Sequence, residues 1–376
     1  MKVLCVFGTR PEAIKMAPVV RAIQGDPRFA CRLCVTAQHR QMLDQVLGLF
    51  GLTPDDDLDL MKPGQTLSGL SARALAALDE VLSDHRPDIV LVHGDTTTSF
   101  IAGLAAFYHR IPVGHVEAGL RTGNLYAPWP EEFNRRAVGI VAELHFAPTQ
   151  RAAQALIREG VAPDRITITG NSVIDALKIV SQRLDEDAEL SARQAASLPP
   201  LDPERRLILV TGHRRENFGD GLAQICAALA ELAARPDVQI VYPVHLNPQV
   251  QGPVRALLSN QPHVHLIPPQ DYLPFVWLLK QSHLVLTDSG GLQEEAPVLG
   301  KPVLVMRATT ERPEALDAGT AVLVGADRAR IVAAATRLLG DQQAYLRMAR
   351  AHNPYGDGTA ARQIVARLEQ WQRSPA

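Results

Sequence analysis

Residues 1–24, MKVLCVFGTRPEAIKMAPVVRAIQ, set the pattern from which the fold of the chain is read. Met1–Phe7 is an apolar run with no polar alternation, which predicts a strand covered on both faces. A short polar turn, Gly8-Thr9-Arg10, leads into Pro11–Gln24, a helical pattern with Pro11 in its first turn. The same unit recurs downstream. Strands are expected at Leu33–Thr36, Ile89–His93, Val113–Glu117, Leu144–Ala147 and Ile166–Gly170. Helical periodicity fills Arg40–Phe50, Thr66–His85, Thr97–His109 and Glu131–Glu143. Asp185–Pro203 reads as a helix followed by a linker. A second series then opens at Leu207–Thr211 and continues through Val238–Val244, Val264–Pro268, Leu284–Thr287, Pro302–Met306 and Ala321–Val324. Its helices include Leu222–Ala234, Asp271–Gln281 and Arg328–Leu339. The class expected is α/β: two doubly wound, Rossmann-like halves in tandem, with a ligand cleft between them facing the carboxyl ends of both sheets.

The 376 residues suit about two domains. With 46% hydrophobic and 21% charged residues and a formal net charge of -2, the chain carries no strong field for nucleic acid or a membrane surface. The N-terminus lacks a secretory apolar segment and no stretch is long enough to span a bilayer, so the cytoplasm is expected. Cys31-x-x-Cys34 falls inside an apolar run, and no second Cys-x-x-Cys completes a zinc site. Buried core cysteines are expected.

Gly-x-Gly-x-x-Gly, the P-loop motif and His-Glu-x-x-His are all absent. Polar clusters at the strand ends remain. Arg10 and Lys15, beside the N–H groups of a helix start, form a candidate anion site. Asp95, in HGDTTT, leaves an apolar strand and could act in chemistry or cap the next helix. Glu117, in GHVEAGLR, ends another strand and is expected to be partly buried. Glu131 and Glu132 open a helix after Pro128-Trp129-Pro130, and Glu132 is read as an acid favourable to the helix dipole. In the second half, His213 and Arg214 follow the first strand, and His245 follows the second. Ser289, Gly290 and Gly291 lead into a helix, where bare backbone could meet a phosphate, with Glu294 or Glu295 one turn on for ribose and Arg312 in the next loop.

Together these blocks closely resemble the bacterial non-hydrolysing UDP-N-acetylglucosamine 2-epimerases. The resemblance runs from GTRPEAIKMAP to NPYGDG and includes LVHGDTTT, GHVEAGLRT, PWPEEFNR, TGHRREN, YPVHLNP and TDSGGLQEEAP. It implies a fold of the GT-B glycosyltransferase type. Residues 1–170 with 359–376 would form the N-terminal domain, helix Thr359–Gln372 returning to it, and 171–358 the UDP-binding domain. It also implies roles. Asp95, Glu117 and Glu131 match the family's catalytic carboxylates, with His213 in support. Arg10, Lys15, His213, Ser289, Gly290, Gly291 and Arg312 would hold the diphosphate, Gln270 and Phe275 the uracil, and Glu295 the ribose. Gln38, Gln41, Gln65, Arg214 and His245 match an allosteric pocket found in parts of the family, although Gly64 stands where some relatives carry arginine.

The reaction so implied is reversible inversion of carbon 2, between UDP-N-acetylglucosamine and UDP-N-acetylmannosamine, for cell-surface polysaccharide synthesis. It proceeds by anti elimination of UDP to 2-acetamidoglucal and re-addition on the other face. It calls for no redox cofactor and no obligatory metal, and the family implies a homodimer. A hydrolysing epimerase releasing N-acetylmannosamine, a GT-B glycosyltransferase and a silent sugar-nucleotide binder remain alternatives at this point; the intact acidic set argues against the last.

Overall fold

The computed structural model describes residues 1–37, 40–62 and 64–373. The chain divides into two compact units, Met1–Ala176 with Tyr355–Ala376, and Leu177–Pro354. The division falls inside the helix Ser172–Glu186.

In the first unit, strands β1 (Lys2–Phe7), β2 (Ala30–Val35), β3 (Asp56–Asp57), β4 (Ile89–His93), β5 (Val113–Val116), β6 (Leu144–Ala147) and β7 (Ile166–Ile168) form one sheet. Its order is β3-β2-β1-β4-β5-β6-β7, and each pairing is parallel. Every residue of β4 is buried, as its unbroken apolar run requires of a strand covered on both faces. On one face Leu4, Val6, Val90 and Val92 pack with Leu70, Leu78 and Leu82 of helix Leu67–His85 and Ile101 of helix Thr97–Tyr108. Each such aliphatic side chain contributes about 1.5–3 kcal/mol on burial. Helix Ala360–Gln372 packs on helix Arg10–Gln24. Asp175 fixes its start by accepting from the amides of Ala360 (3.2 Å) and Ala361 (2.9 Å).

The second unit repeats the plan with β8 (Arg206–Thr211), β9 (Val238–Pro243), β10 (Val264–Ile267), β11 (Leu284–Thr287), β12 (Val303–Val305) and β13 (Ala321–Leu323), in the order β10-β9-β8-β11-β12-β13. Ile208, Val210, Ile240 and Leu286 pack with Ile225 and Leu229 of helix Asp220–Ala233 and with Val254 of helix Pro248–Leu258. In both sheets the order reverses beside the first strand, at β1/β4 and at β8/β11. A doubly wound sheet opens a crevice at its carboxyl edge at such a point.

The strand and helix readings hold to within a few residues. Helices Gln150–Arg158, Ser172–Glu186, Pro248–Leu258 and Gln342–Ala349 add to those expected from periodicity. The segment expected to be a helix and then a linker contains helix Ala188–Ala196 and an irregular stretch to Arg205. Cys31 and Cys34 do lie on a strand. Cys34 is buried and Cys31 only half-buried, and at three residues apart they face opposite sides of β2, so they form no dithiol pair. No helix among the described residues is long and apolar enough to cross a membrane.

Candidate active site

In the first unit the polar clusters meet at the carboxyl edge. Glu117 follows β5 with φ +63°, a left-handed backbone that a side chain adopts only where its surroundings hold it there. Its carboxylate is 7% exposed. Oε1 accepts from Lys15 Nζ at 2.5 Å and from Asn171 Nδ2 at 2.7 Å. Oε2 lies 3.6 Å from His93 Nε2, but burial pushes His93 down to about 4, so this imidazole is neutral at pH 7 and the contact is not an ion pair. Gly94, at φ +66°, supplies the tight turn next to that carboxylate; a Cβ there would sit 3.3 Å from Glu117 Oε2.

Asp95 sits one turn away. Thr96, not Asp95, caps the next helix, its side chain accepting from the Ser99 amide, so the capping alternative for Asp95 is excluded. The Asp95 carboxylate pairs with Arg135, and its carbonyl accepts from Asn134 Nδ2 at 3.0 Å. Both partners lie on helix Glu131–Val141, which brings Glu131 into the electrostatic field of Asp95. Burial pushes the Asp95 carboxyl above its ordinary range, while Arg135 works against the rise and Glu117 adds to it. Asp95 therefore lies in the field of both Glu117 and Glu131, and two cations serve this acidic group, Arg135 on Asp95 and Lys15 on Glu117. A carboxyl raised by burial beside one held by a lysine is an arrangement suited to moving a proton.

Two readings change. The N–H groups expected to face an anion at the start of helix Arg10–Gln24 are partly consumed: Gly8 and Thr9 donate to Glu12, and the Glu12 amide donates to Thr9. Lys15 likewise is engaged by Glu117. Glu132, assigned to the helix dipole, is wholly buried and accepts from the amides of Thr122 (3.0 Å) and Gly123 (3.2 Å), anchoring the loop that precedes Glu131.

In the second unit the centre is Asp288, buried at the end of β11. Its Oδ2 accepts from the amides of His213 and Arg214, each at 2.9 Å, and from Asn217 Nδ2 at 3.3 Å. Oδ1 faces His213 Nδ1 at 3.4 Å. Asp288 thus holds the backbone of His213 and places a carboxylate beside its imidazole, which also stacks on His245 with ring centroids 5.5 Å apart. Burial lowers the proton affinity of His213 and Asp288 opposes the fall.

Ser289, Gly290 and Gly291 follow directly. Arg312 reaches Gly290 from the next loop: a Cβ on Gly290 would lie in ordinary contact with its guanidinium, 3.9 Å from Cζ. Arg312 pairs with the buried Glu294. Glu295, half-buried at the end of helix Gly290–Glu295, accepts from Tyr272 Oη at 3.1 Å. Gln270 donates to the Pro268 carbonyl at 2.7 Å, and Phe275 lies half-buried on helix Tyr272–Gln281.

Of the allosteric set, Gln38 and the side chain of Gln41 lie outside the described residues. Gln65 is bonded by Arg73, Arg214 pairs with Glu311 at 3.2 Å, and His245 lies against His213. Glu12, Asn171 and Asp288 are absent from the assigned site residues. Thr9-x-x-Glu12 is a capping-box spacing and would have flagged Glu12; Asn171 and Asp288 carry the strand-end position that marked the others. Among the described residues, no group of three or more His, Cys, Asp or Glu is placed to hold a metal ion.

Comparison with known proteins gives the family. Residues 21–369 match the model for UDP-N-acetylglucosamine 2-epimerase. The chain is 60% identical over 370 residues to the UDP-N-acetylglucosamine 2-epimerase of Escherichia coli K12, covering 98% of each. It superposes on the crystal structure of the Neisseria meningitidis UDP-GlcNAc 2-epimerase bound to UDP-GlcNAc with a TM-score of 0.91 at 51% identity, covering 98% of this chain and 100% of that one. The Methanocaldococcus jannaschii UDP-GlcNAc 2-epimerase in complex with UDP-GlcNAc and UDP gives 0.83 at 30% identity, covering 98% and 100%. With its whole length matched in sequence and fold, the chain belongs to the UDP-N-acetylglucosamine 2-epimerase family.

Proposed function

We propose that the protein interconverts UDP-N-acetylglucosamine and UDP-N-acetylmannosamine without net hydrolysis, supplying cell-surface polysaccharide synthesis. The observation that carries this is the acidic group Asp95, Glu117 and Glu131 at the switch point of the first unit, in a chain 60% identical over its length to epimerases.

Carbon 2 bears no acidic hydrogen while carbon 1 is bonded to phosphate oxygen. Cleavage of the carbon 1–oxygen bond sends its electron pair to UDP and leaves positive charge on the ring. The carbon 2–hydrogen pair then closes the carbon 1–carbon 2 double bond of 2-acetamidoglucal, and the proton passes to a carboxylate. Return of a proton to the opposite face of carbon 2, with UDP rejoining carbon 1 on its original face, inverts carbon 2 alone and balances the cycle. Asp95, Glu117 and Glu131 stabilise the cationic ring and carry the proton, and such acid–base work contributes about 10²–10⁴-fold. On the second unit His213, Ser289, Gly290, Gly291 and Arg312 receive the diphosphate, Asp288 holding the backbone of His213. In the first unit Arg10 and Lys15 supply cationic charge of their own. Glu295 receives the ribose, and Gln270 and Phe275 the uracil.

The working form in this reading is a homodimer. Phe107, Tyr108, Phe133 and Ile140, exposed on helices Thr97–Tyr108 and Glu131–Val141, form the apolar face that a second copy would cover. Sedimentation of Ile140→Asp should show a shift to monomer, and an unchanged dimer would remove that face from the interface.

The function is tested by incubating the protein with UDP-N-acetylglucosamine in heavy water and following the products by NMR. UDP-N-acetylmannosamine carrying deuterium at carbon 2 is the expected product. Free N-acetylmannosamine as the main product, or no exchange at carbon 2, overturns the reading.

A further inference from the structure

Glu12 touches none of the groups assigned to the reaction, yet it is only 2% exposed and joins both loops of the switch point. Oε2 accepts from the amides of Gly8 (3.1 Å) and Thr9 (2.8 Å), in the loop that carries Arg10. Oε1 contacts Thr96 Oγ1 at 2.6 Å and Ser99 Oγ at 2.9 Å, 84 and 87 residues away, in the segment that follows Asp95. Ser99 Oγ also lies 2.5 Å from the carbonyl oxygen of His93, two residues before Asp95.

The hydrogens around Oε1 can be counted. Four oxygen–oxygen contacts link this cluster: Thr96 to Glu12, Ser99 to Glu12, Ser99 to the His93 carbonyl, and the longest, Thr96 to Ser99 at 3.1 Å. Thr96 and Ser99 bring one hydroxyl hydrogen each, and a carbonyl brings none. With an ionised Glu12 two of the four contacts have no hydrogen, so at least one of the three involving Glu12 or the His93 carbonyl sets lone pairs face to face in a buried site. One more proton, on Oε1, supplies the three shorter contacts and leaves only the longest, Thr96 to Ser99, without a hydrogen. Glu12 then donates to Ser99, Ser99 donates to the His93 carbonyl, and Thr96 donates to Glu12.

We propose that Glu12 is held as a neutral carboxylic acid and is the positioning residue that locks the Asp95 segment against the Arg10 loop. Burial acts in the same direction, pushing this carboxyl above its ordinary range against the hydrogen bonds from Thr96, Thr9, Gly8 and Ser99. The partners of its carboxyl are uncharged. The ionisable groups on the elements around it are directed elsewhere: Lys15 on its own helix to Glu117, and Asp95 after β4 to Arg135. His93 offers its backbone carbonyl, its own ring being neutral. An ionised Glu12 would add a fourth carboxylate beside Asp95, Glu117 and Glu131; a neutral acid gives the same scaffold without that charge.

The inference rests on the epimerase reading for its catalytic part only. The test compares the full chain with Glu12→Gln, Glu12→Ala and Ser99→Ala. A glutamine is likewise neutral: its carbonyl accepts from Gly8 and Thr9, its amide donates to Ser99 and Thr96, and Thr96 turns its hydroxyl to Ser99 Oγ, 3.1 Å away. Glu12→Gln should therefore melt at the wild-type temperature and keep kcat within about threefold, while Glu12→Ala loses about tenfold or more in kcat with KM little changed. The infrared spectrum at neutral pH should show a protonated-carboxyl band in the wild type that is missing in Glu12→Gln. Absence of that band, or a Glu12→Gln enzyme as impaired as Glu12→Ala, overturns the neutral acid. Should Glu12→Ala not fold, Ser99→Ala carries the positioning claim, and wild-type kcat in that variant overturns it. The infrared and melting measurements need no substrate, so their failure is distinct from failure of the epimerase reading, which appears as a wild-type protein without turnover.

Discussion

Replacing Glu132 with alanine should destabilise the protein by about 3 kcal/mol, a figure that follows from two hydrogen bonds made by a buried carboxylate. The amides of Thr122 and Gly123 donate to Oε2 and Oε1 at 3.0 and 3.2 Å, and Arg135 Nη1 adds a longer contact of 3.5 Å. A hydrogen bond to an ionised acceptor contributes about 1.5–3 kcal/mol. Thr122 and Gly123 are themselves exposed, so water can solvate their amides once the loop is released, and the lower end of that range applies to each. Helix-dipole relief, the role the sequence suggested, is worth at most about 2 kcal/mol at a buried helix start. The two accounts therefore differ by about 1 kcal/mol or more, within the reach of urea denaturation at neutral pH. Glu132→Gln keeps one acceptor oxygen and should fall near halfway. The freed loop runs into Glu131, so turnover should drop in Glu132→Ala by more than in Glu132→Gln. A loss below about 2 kcal/mol in Glu132→Ala would refute the anchoring argument and restore the dipole reading.

Three further outcomes are expected. Asp95→Asn, Glu117→Gln and Glu131→Gln should each cut turnover by two or more orders of magnitude, of the order that acid–base catalysis supplies, while UDP binding by calorimetry largely survives; full activity in any of them removes that residue from the mechanism. Buried His93, His115 and His145 are pushed by burial to about 4, 3 and 4. They stay neutral in the native state and take up protons only on unfolding, so stability is intact above about pH 6.5 and falls toward pH 4, by up to about 1.4 kcal/mol per pH unit for each. A urea midpoint that is flat or rises between about pH 6.5 and about pH 4.5 contradicts this. Because His245 stacks on His213, UDP-N-acetylglucosamine bound at a second site should act through that stack; hyperbolic kinetics, with UDP-N-acetylmannosamine alone epimerised at full rate, would count against such regulation.

Much of this protein is legible along the chain. An apolar run such as Ile89–His93 can be satisfied only inside a parallel sheet, and a polar residue at its end must emerge at the carboxyl edge, so Asp95, Glu117, His213 and Ser289 declare themselves without coordinates. What joins them is not local. Glu12 meets Thr96 and Ser99 because β1 lies beside β4, Lys15 meets Glu117 across 102 residues, and Asp288 reaches the His213 amide across 75. Strand order determines each of these meetings, and burial then sets their chemistry: the same carboxyl that is an ordinary acid in water becomes an anchor in Glu132, a raised acid in Asp95 and a neutral strut in Glu12. Local periodicity determined which residues could stand at the edge; only the tertiary structure decided which of them share a proton or a charge, because desolvation and pairing are properties of neighbours that the chain brings together from far apart.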